Sequence, residues 1–215
     1  MAGRSAALAE VAAQVEALLA RGSGRVLVGV AGAPGAGKST LAASLARRFA
    51  DRGAVAVPMD GFHLANEELA RLGLAHVKGA PETFDGYGFV HLMRRLRDGQ
   101  ELVYAPLFHR RIEQAIASAL PVPPTAEVVI VEGNYLLLPE QPWALARPLF
   151  DLAVYLDVPA EIRVPRLLDR ARAGGRDEAA AQDWVHRNDE ANAAVVAATR
   201  DRADLVISAV PAASR

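Results

Sequence analysis

Cysteine is absent from this chain of 215 residues, and lysine nearly so. Without cysteine there can be no disulfide framework, no thiolate metal site and no cysteine nucleophile. Of 24 basic residues only two are lysines, Lys38 and Lys78. The arginine bias, beside abundant alanine, reads as the usage of a GC-rich genome, which makes each surviving lysine worth attention. An excess of positive charge is missing too. The formal net charge is −1, without the basic excess expected of nucleic-acid binders, so no nucleic-acid partner is expected. No stretch reaches the ~18 consecutive apolar residues of a membrane span. What is present, 52% hydrophobic and 23% charged residues, supports a packed core and excludes wholesale disorder. The length fits one domain over residues 1–215.

At the N-terminus, Leu8, Val11, Val15, Leu18 and Leu19 recur at helical spacing. Glu10, Gln14 and Glu16 interrupt any signal-peptide core, so residues 5–21 read as an amphipathic helix and the protein as cytoplasmic. Short β-rich runs without polar alternation follow at 25–31, 54–59, 128–131, 152–156 and 205–207. Such runs suit parallel strands buried on both faces. Helical stretches at 39–50, 89–96, 160–172 and 179–199 lie between them, which predicts an α/β/α sandwich of three layers around a mostly parallel sheet. The span 73–88 reads as a looser insertion. The prolines at 121–125 separate an edge hairpin from the strand at Val128.

The strongest local signal is Gly32-Ala33-Pro34-Gly35-Ala36-Gly37-Lys38-Ser39-Thr40. It fits G-x-x-x-x-G-K-[ST] between a predicted strand and a predicted helix, as a P-loop requires. Its amides would cradle phosphates, helped by the positive end of the following helix. Lys38 would neutralise the β- and γ-phosphates of a nucleoside triphosphate, and the Ser39 hydroxyl would ligate Mg²⁺. The Asn-Lys-x-Asp element of GTPases and the Leu-Ser-Gly-Gly-Gln segment of transporter ATPases are both absent.

Three further groups of residues bear on the chemistry. Asp60, in Met59-Asp60-Gly61-Phe62-His63, sits at the carboxyl end of the second predicted strand, where ligands bind in open α/β sheets. A carboxylate there can take the proton of an acceptor hydroxyl, although Asp-Gly is also a common turn pair. His63 reads as a pocket residue rather than a base. Glu132 ends the apolar run 128–131 in the manner of a Walker B acid and would help organise Mg²⁺. Arg163, Arg166 and Arg170 share a helix face ahead of Gly174 and Gly175. They suggest a lid at about 170–180 that brings a cation, Arg170 first, to the γ-phosphoryl group. The plainer reading is a solvated face paired with Glu161 and Asp169.

Together these residues resemble the uridine kinase, phosphoribulokinase and pantothenate kinase group of P-loop kinases, over about 26–208. Beyond the P-loop, the resemblance rests on Met59 to His63, Lys78 to Asp85, Tyr104 to Arg110 and Glu132 to Tyr135. The wording is closest to a bacterial nucleoside kinase-like branch that includes proteins named fructose transport system kinases. The resemblance implies an ATP- and Mg²⁺-dependent kinase acting on a hydroxyl of a sugar, nucleoside or related metabolite. It implies Asp60 as the base, and an acceptor site drawn from His63, Lys78, Phe84, Arg110, Glu132 and Asn134. His109 stands where many relatives have aspartate. Relatives of this kind are often oligomers, so a homodimer is a family expectation. Trp184, Asp189 and Asn192 match a further pattern, with helix packing the better reading for Trp184. A pantothenate-type kinase, an ATP-binding regulatory module of a sugar transport system and a P-loop ATPase stay open as alternatives.

Overall fold

The apolar runs assemble into one parallel sheet in a computed structural model that describes residues 2–22 and 24–208. In chain order the strands are β1 (Val26–Gly32), β2 (Val55–Pro58), β3 (Val103–His109), β4 (Gln114–Val122), β5 (Val128–Gly133), β6 (Leu152–Asp157) and β7 (Leu205–Ser208). The main sheet has the order β2-β5-β1-β6-β7, with every neighbouring pair parallel. Helices α1 (Ala2–Ala20), α2 (Lys38–Arg48), α3 (Asn66–Arg71), α4 (Gly86–Asp98), α5 (Ala160–Ala173), α6 (Glu178–Trp184) and α7 (Glu190–Ala197) complete the described fold.

The two faces of the sheet explain why its strands lack polar alternation. On β1, Val26, Val28 and Val30 join Val11 and Val15 of α1 and Leu41 and Leu45 of α2 in one buried cluster. Leu27 and Ala31 of the same strand join Phe89 and Met93 of α4 in another. β5 divides likewise, with Val128 and Ile130 in the first cluster and Val129 and Val131 in the second. A strand apolar on both sides needs cover on both sides, and the three layers supply it.

Three expectations are corrected. The hairpin β3–β4 does not edge the main sheet but forms a separate two-stranded antiparallel sheet. It packs instead on the turn after β2, where a Cβ added at Gly61 would stand 2.4 Å from the Pro106 carbonyl oxygen. The span 73–88 is more ordered than expected, with 3₁₀ turns at Ala75–Val77 and Pro81–Thr83 and the first residues of α4. Finally, the helix expected over 179–199 contains a π-helical segment, Val185–Asp189, between α6 and α7. The wider turn carries buried Asn188 and Asp189 on consecutive positions, and such insertions are often found at functional sites.

Candidate active site

The carboxyl ends of β2, β5 and β1 bring three chemical groups side by side. Glu132 of β5 is in register with Val30 of β1 on one side and Pro58 of β2 on the other. The loop 32–37 follows β1, and Asp60 lies on the 3₁₀ turn Met59–Phe62 that follows β2. At the start of α2, Gly37 is left-handed with φ 96°, a conformation that an L side chain rarely adopts. It turns the loop into the helix. Ser39 and Thr40 stand exposed on the first turn of α2.

Lys38 is buried, and its Nζ donates to the carbonyl of Ala33 at 3.1 Å and to Asn134 Oδ1 at 2.7 Å. Burial lowers the pKa of its ammonium, a shift opposed by the carboxylates of Glu132 and Asp60. Ser39 Oγ donates to Glu132 Oε1 at 2.8 Å. Burial, reinforced by Asp60, pushes the Glu132 carboxyl up, while Lys38 and the Ser39 hydrogen bond oppose the rise. A hydroxyl and two carboxylates next to a phosphate-binding loop fit a magnesium ion that keeps phosphate oxygens as ligands. Among the described residues no cluster of three His, Cys, Asp or Glu forms a self-sufficient metal site.

The three arginines of α5 separate into different roles. Arg163 is buried, donates to the carbonyls of Val158 and Pro34, and pairs with Glu190 at 3.0 Å. Arg166 donates to the carbonyl of Gly35 at 3.0 Å. Both therefore grip the backbone of the loop from behind. Arg170, exposed at the end of the helix, pairs with Asp189 Oδ1 at 3.3 Å and lies close enough to act on Lys38. Asp169 pairs with Arg172 instead. The segment 170–180 consists of the end of α5, a turn and the start of α6; there Arg176 stacks on Trp184 at 4.2 Å.

On the other flank, Asp60 Oδ2 accepts from Arg110 at 3.2 Å. The Nδ1 of His63 lies 2.8 Å from the Asp60 carbonyl. Because a carbonyl only accepts, Nδ1 carries the proton and Nε2 is left as an acceptor. The His63 ring packs on Phe84 at 4.0 Å and Phe108 at 4.8 Å, and burial lowers its pKa, so it is neutral at neutral pH. Phe84 is itself buried and backs onto Tyr135 and Trp143. Lys78 meets Phe108 from the insertion, and Tyr135 donates to the Gly79 carbonyl at 2.5 Å, tying the insertion to the strand end. Sequence reasoning missed Asn66 beside Lys78, Glu190 beside Arg163 and Asn188, which donates to the His76 carbonyl. These contacts span 12 to 112 positions in the chain, so no local period announces them. A groove of about 800 Å³ shares Phe84 with this aromatic group but is lined largely by apolar side chains such as Trp143 and Val195. It offers little to a phosphate.

Gly61 supports this flank by having no side chain. In Gly61→Ala the new methyl meets the Pro106 backbone, so β3 must move away from the turn that carries Asp60. A loss of ~1–3 kcal/mol is expected for such overpacking, read as a lowered Tm; unchanged Tm would show that the hairpin yields freely.

Residues 27–214 match the model of the phosphoribulokinase/uridine kinase family, and the chain belongs to that family of kinases. It is 37% identical over 196 residues to the Schizosaccharomyces pombe protein named "Putative uridine kinase C227.14", covering 85% of this chain and 83% of that one. It is 35% identical to the Escherichia coli protein YggC, covering 85% and 77%. A solved structure from Silicibacter sp. TM1040, named "putative fructose transport system kinase", superposes with a TM-score of 0.80 at 43% identity, covering 91% of this chain and 97% of that one. Phosphoribulokinase from Rhodobacter spheroides shares the fold, with a TM-score of 0.65 at 14% identity over 86% of this chain and 70% of that one. No described helix is long and apolar enough to cross a membrane.

Proposed function

We propose that the protein is a single-domain, cytoplasmic kinase that transfers the γ-phosphoryl group of ATP to a hydroxyl of a sugar, nucleoside or related small metabolite, and that it works as a homodimer. The observation that carries this reading is the placement of Asp60 and Lys38 on either side of Glu132, at neighbouring strand ends. Lys38 and the amides of 32–40 hold the phosphates. Ser39 and Glu132 would hold Mg²⁺, which when bound neutralises phosphate charge. Asp60 orients the acceptor hydroxyl and takes its proton as the oxygen attacks phosphorus in line. Arg170 leaves Asp189 to cover the migrating group as the lid over 170–180 closes. Glu132 and Asn134 border the acceptor from the β5 side, and His63, Lys78, Phe84 and Arg110 from the other.

The test is ADP formation from ATP and Mg²⁺ against a panel of sugars, nucleosides and vitamin precursors, with the phosphorylated product identified by mass spectrometry. Acceptor-dependent turnover is the expected result. Fast hydrolysis without an acceptor would mark an ATPase, and nucleotide binding without any product a regulatory module.

A further inference from the structure

We infer that the π-helical segment Val185–Asp189 makes the enzyme choose its acceptor over water. Asp189 holds Arg170 back from the γ-phosphoryl group, and Asn188, the residue before it, ties that hold to the insertion that borders the acceptor. This rests on the kinase reading and adds to it what releases the lid arginine.

Packing alone does not account for the junction between α6 and α7. Of the eight buried polar or charged residues among those described, Asn188, Asp189 and Asn192 fall within five positions. A helix that only covered a core would bury apolar side chains there. The polar groups of this run instead meet different parts of the site. Asn188 Nδ2 donates to the His76 carbonyl of the insertion at 3.1 Å. Asp189 Oδ1 accepts from Arg170 at 3.3 Å. Glu190 pairs with Arg163, which donates to the Pro34 carbonyl of the phosphate loop. Asn192 Nδ2 stands 3.6 Å from the point where Gly79 of the insertion would carry a Cβ.

The pair of Asp189 and Arg170 is unequal. The carboxylate is buried and the guanidinium is exposed. Each is the other's one hydrogen-bond partner among the described residues. Opening such a pair leaves a buried charge alone, which costs far more than the closed pair is worth. A bound γ-phosphate therefore does not draw Arg170 away unaided, although Arg170 lies close enough to the phosphate site to act on Lys38. Release is cheap once a second cation takes its place. Arg176 already acts on Asp189 from the turn between α5 and α6, so the replacement is at hand. The exchange needs the π segment to shift, and Asn188 fastens that segment to His76. When the insertion closes on an acceptor it carries His76, and the π segment moves with it.

Water is the competitor that this arrangement holds off. In hydrolysis a water oxygen attacks the γ-phosphorus, the bond to the bridging oxygen breaks, ADP leaves and the proton of water passes to Asp60. The charge that develops is that of transfer to a hydroxyl, so a cation always in place would speed both reactions. A cation that arrives only with the acceptor speeds one.

ADP formation from ATP and Mg²⁺ without any acceptor is the first readout. Asp189→Asn keeps the shape and removes the charge, and this hydrolysis is expected to rise about 10–100-fold, the equilibrium worth of one charge-assisted hydrogen bond. Arg170→Met added to Asp189→Asn should abolish the rise. A merely structural role for Asp189 would lower the rate. The second readout is amide hydrogen exchange with ADP, Mg²⁺ and aluminium fluoride, a mimic of the transferring phosphoryl group. Coupling between two sites is reciprocal, so in the wild type this mimic should alter exchange over both 170–180 and 73–80. In Asn188→Ala only 170–180 should respond. Four outcomes would overturn the inference and leave the kinase standing: hydrolysis unchanged or lowered in Asp189→Asn, a rise that survives Arg170→Met, an insertion silent in the wild type, or one still responsive in Asn188→Ala. A wild type that binds no ATP with Mg²⁺ would overturn the kinase reading itself.

Discussion

Asp60→Asn is expected to slow turnover by ~10²–10⁴-fold, the range for losing a general base, while ATP binds as before. The substitution preserves shape. The asparagine oxygen can still accept from Arg110, which now reaches Asp60 Oδ2 at 3.2 Å, so the turn Met59–Phe62 and the hairpin above it keep their places. What disappears is the ability to take a proton, together with a negative charge that acts on both Lys38 and Glu132. Single-turnover kinetics with saturating acceptor, beside calorimetry for ATP, separate the two. Turnover within a few-fold of the wild type would remove Asp60 as the base.

Lys38→Met is expected to weaken ATP binding and to lower kcat by ~10²–10³-fold, as when a preorganised donor to the transferring group is lost. In the apo protein two effects oppose each other. Burial depresses the pKa of this ammonium, so its charge is held at a cost to folding that methionine avoids, but methionine also leaves the Ala33 carbonyl and Asn134 Oδ1 without their donor. The signature is loss of the rise in Tm that ATP confers on a protein binding it only when folded, measured against each variant's own apo Tm. Unaltered ATP affinity would remove the phosphate-binding assignment of 32–40. Arginine should not substitute, because its planar fork cannot reproduce two bonds made by a compact buried ammonium to Ala33 and Asn134.

The parallel sheet and the strand-end acids were legible because their signals are local. Runs such as Val128 to Val131 lack polar alternation for a reason that acts at each residue, and a loop of glycines before a helix carries its own geometry. Arg163 and Arg170 show where legibility stops. Spacing placed both on one helix face, but only the packed structure puts Glu190 and the loop carbonyls against the first and Asp189 beside the second. The place of the hairpin is not legible because most of β4 is exposed. With one poorly covered strand, the pattern does not say which sheet the pair joins. The π segment has no local signal at all, since an inserted residue leaves the composition of the helix unchanged.

The isolation of that hairpin has a consequence for how this molecule can diverge. Its ladder closes on itself and shares no strand with the sheet that carries the P-loop. Residues from Phe108 to Glu113 can therefore be exchanged, lengthened or recharged while the register of β1, β5 and β2 stays intact. The register of the main sheet is thus mechanically separable from the tip of the hairpin, whereas the turn that carries Asp60 is not, because Gly61 abuts Pro106 and Arg110 pairs with Asp60. Change at the tip is free wherever it spares those two contacts.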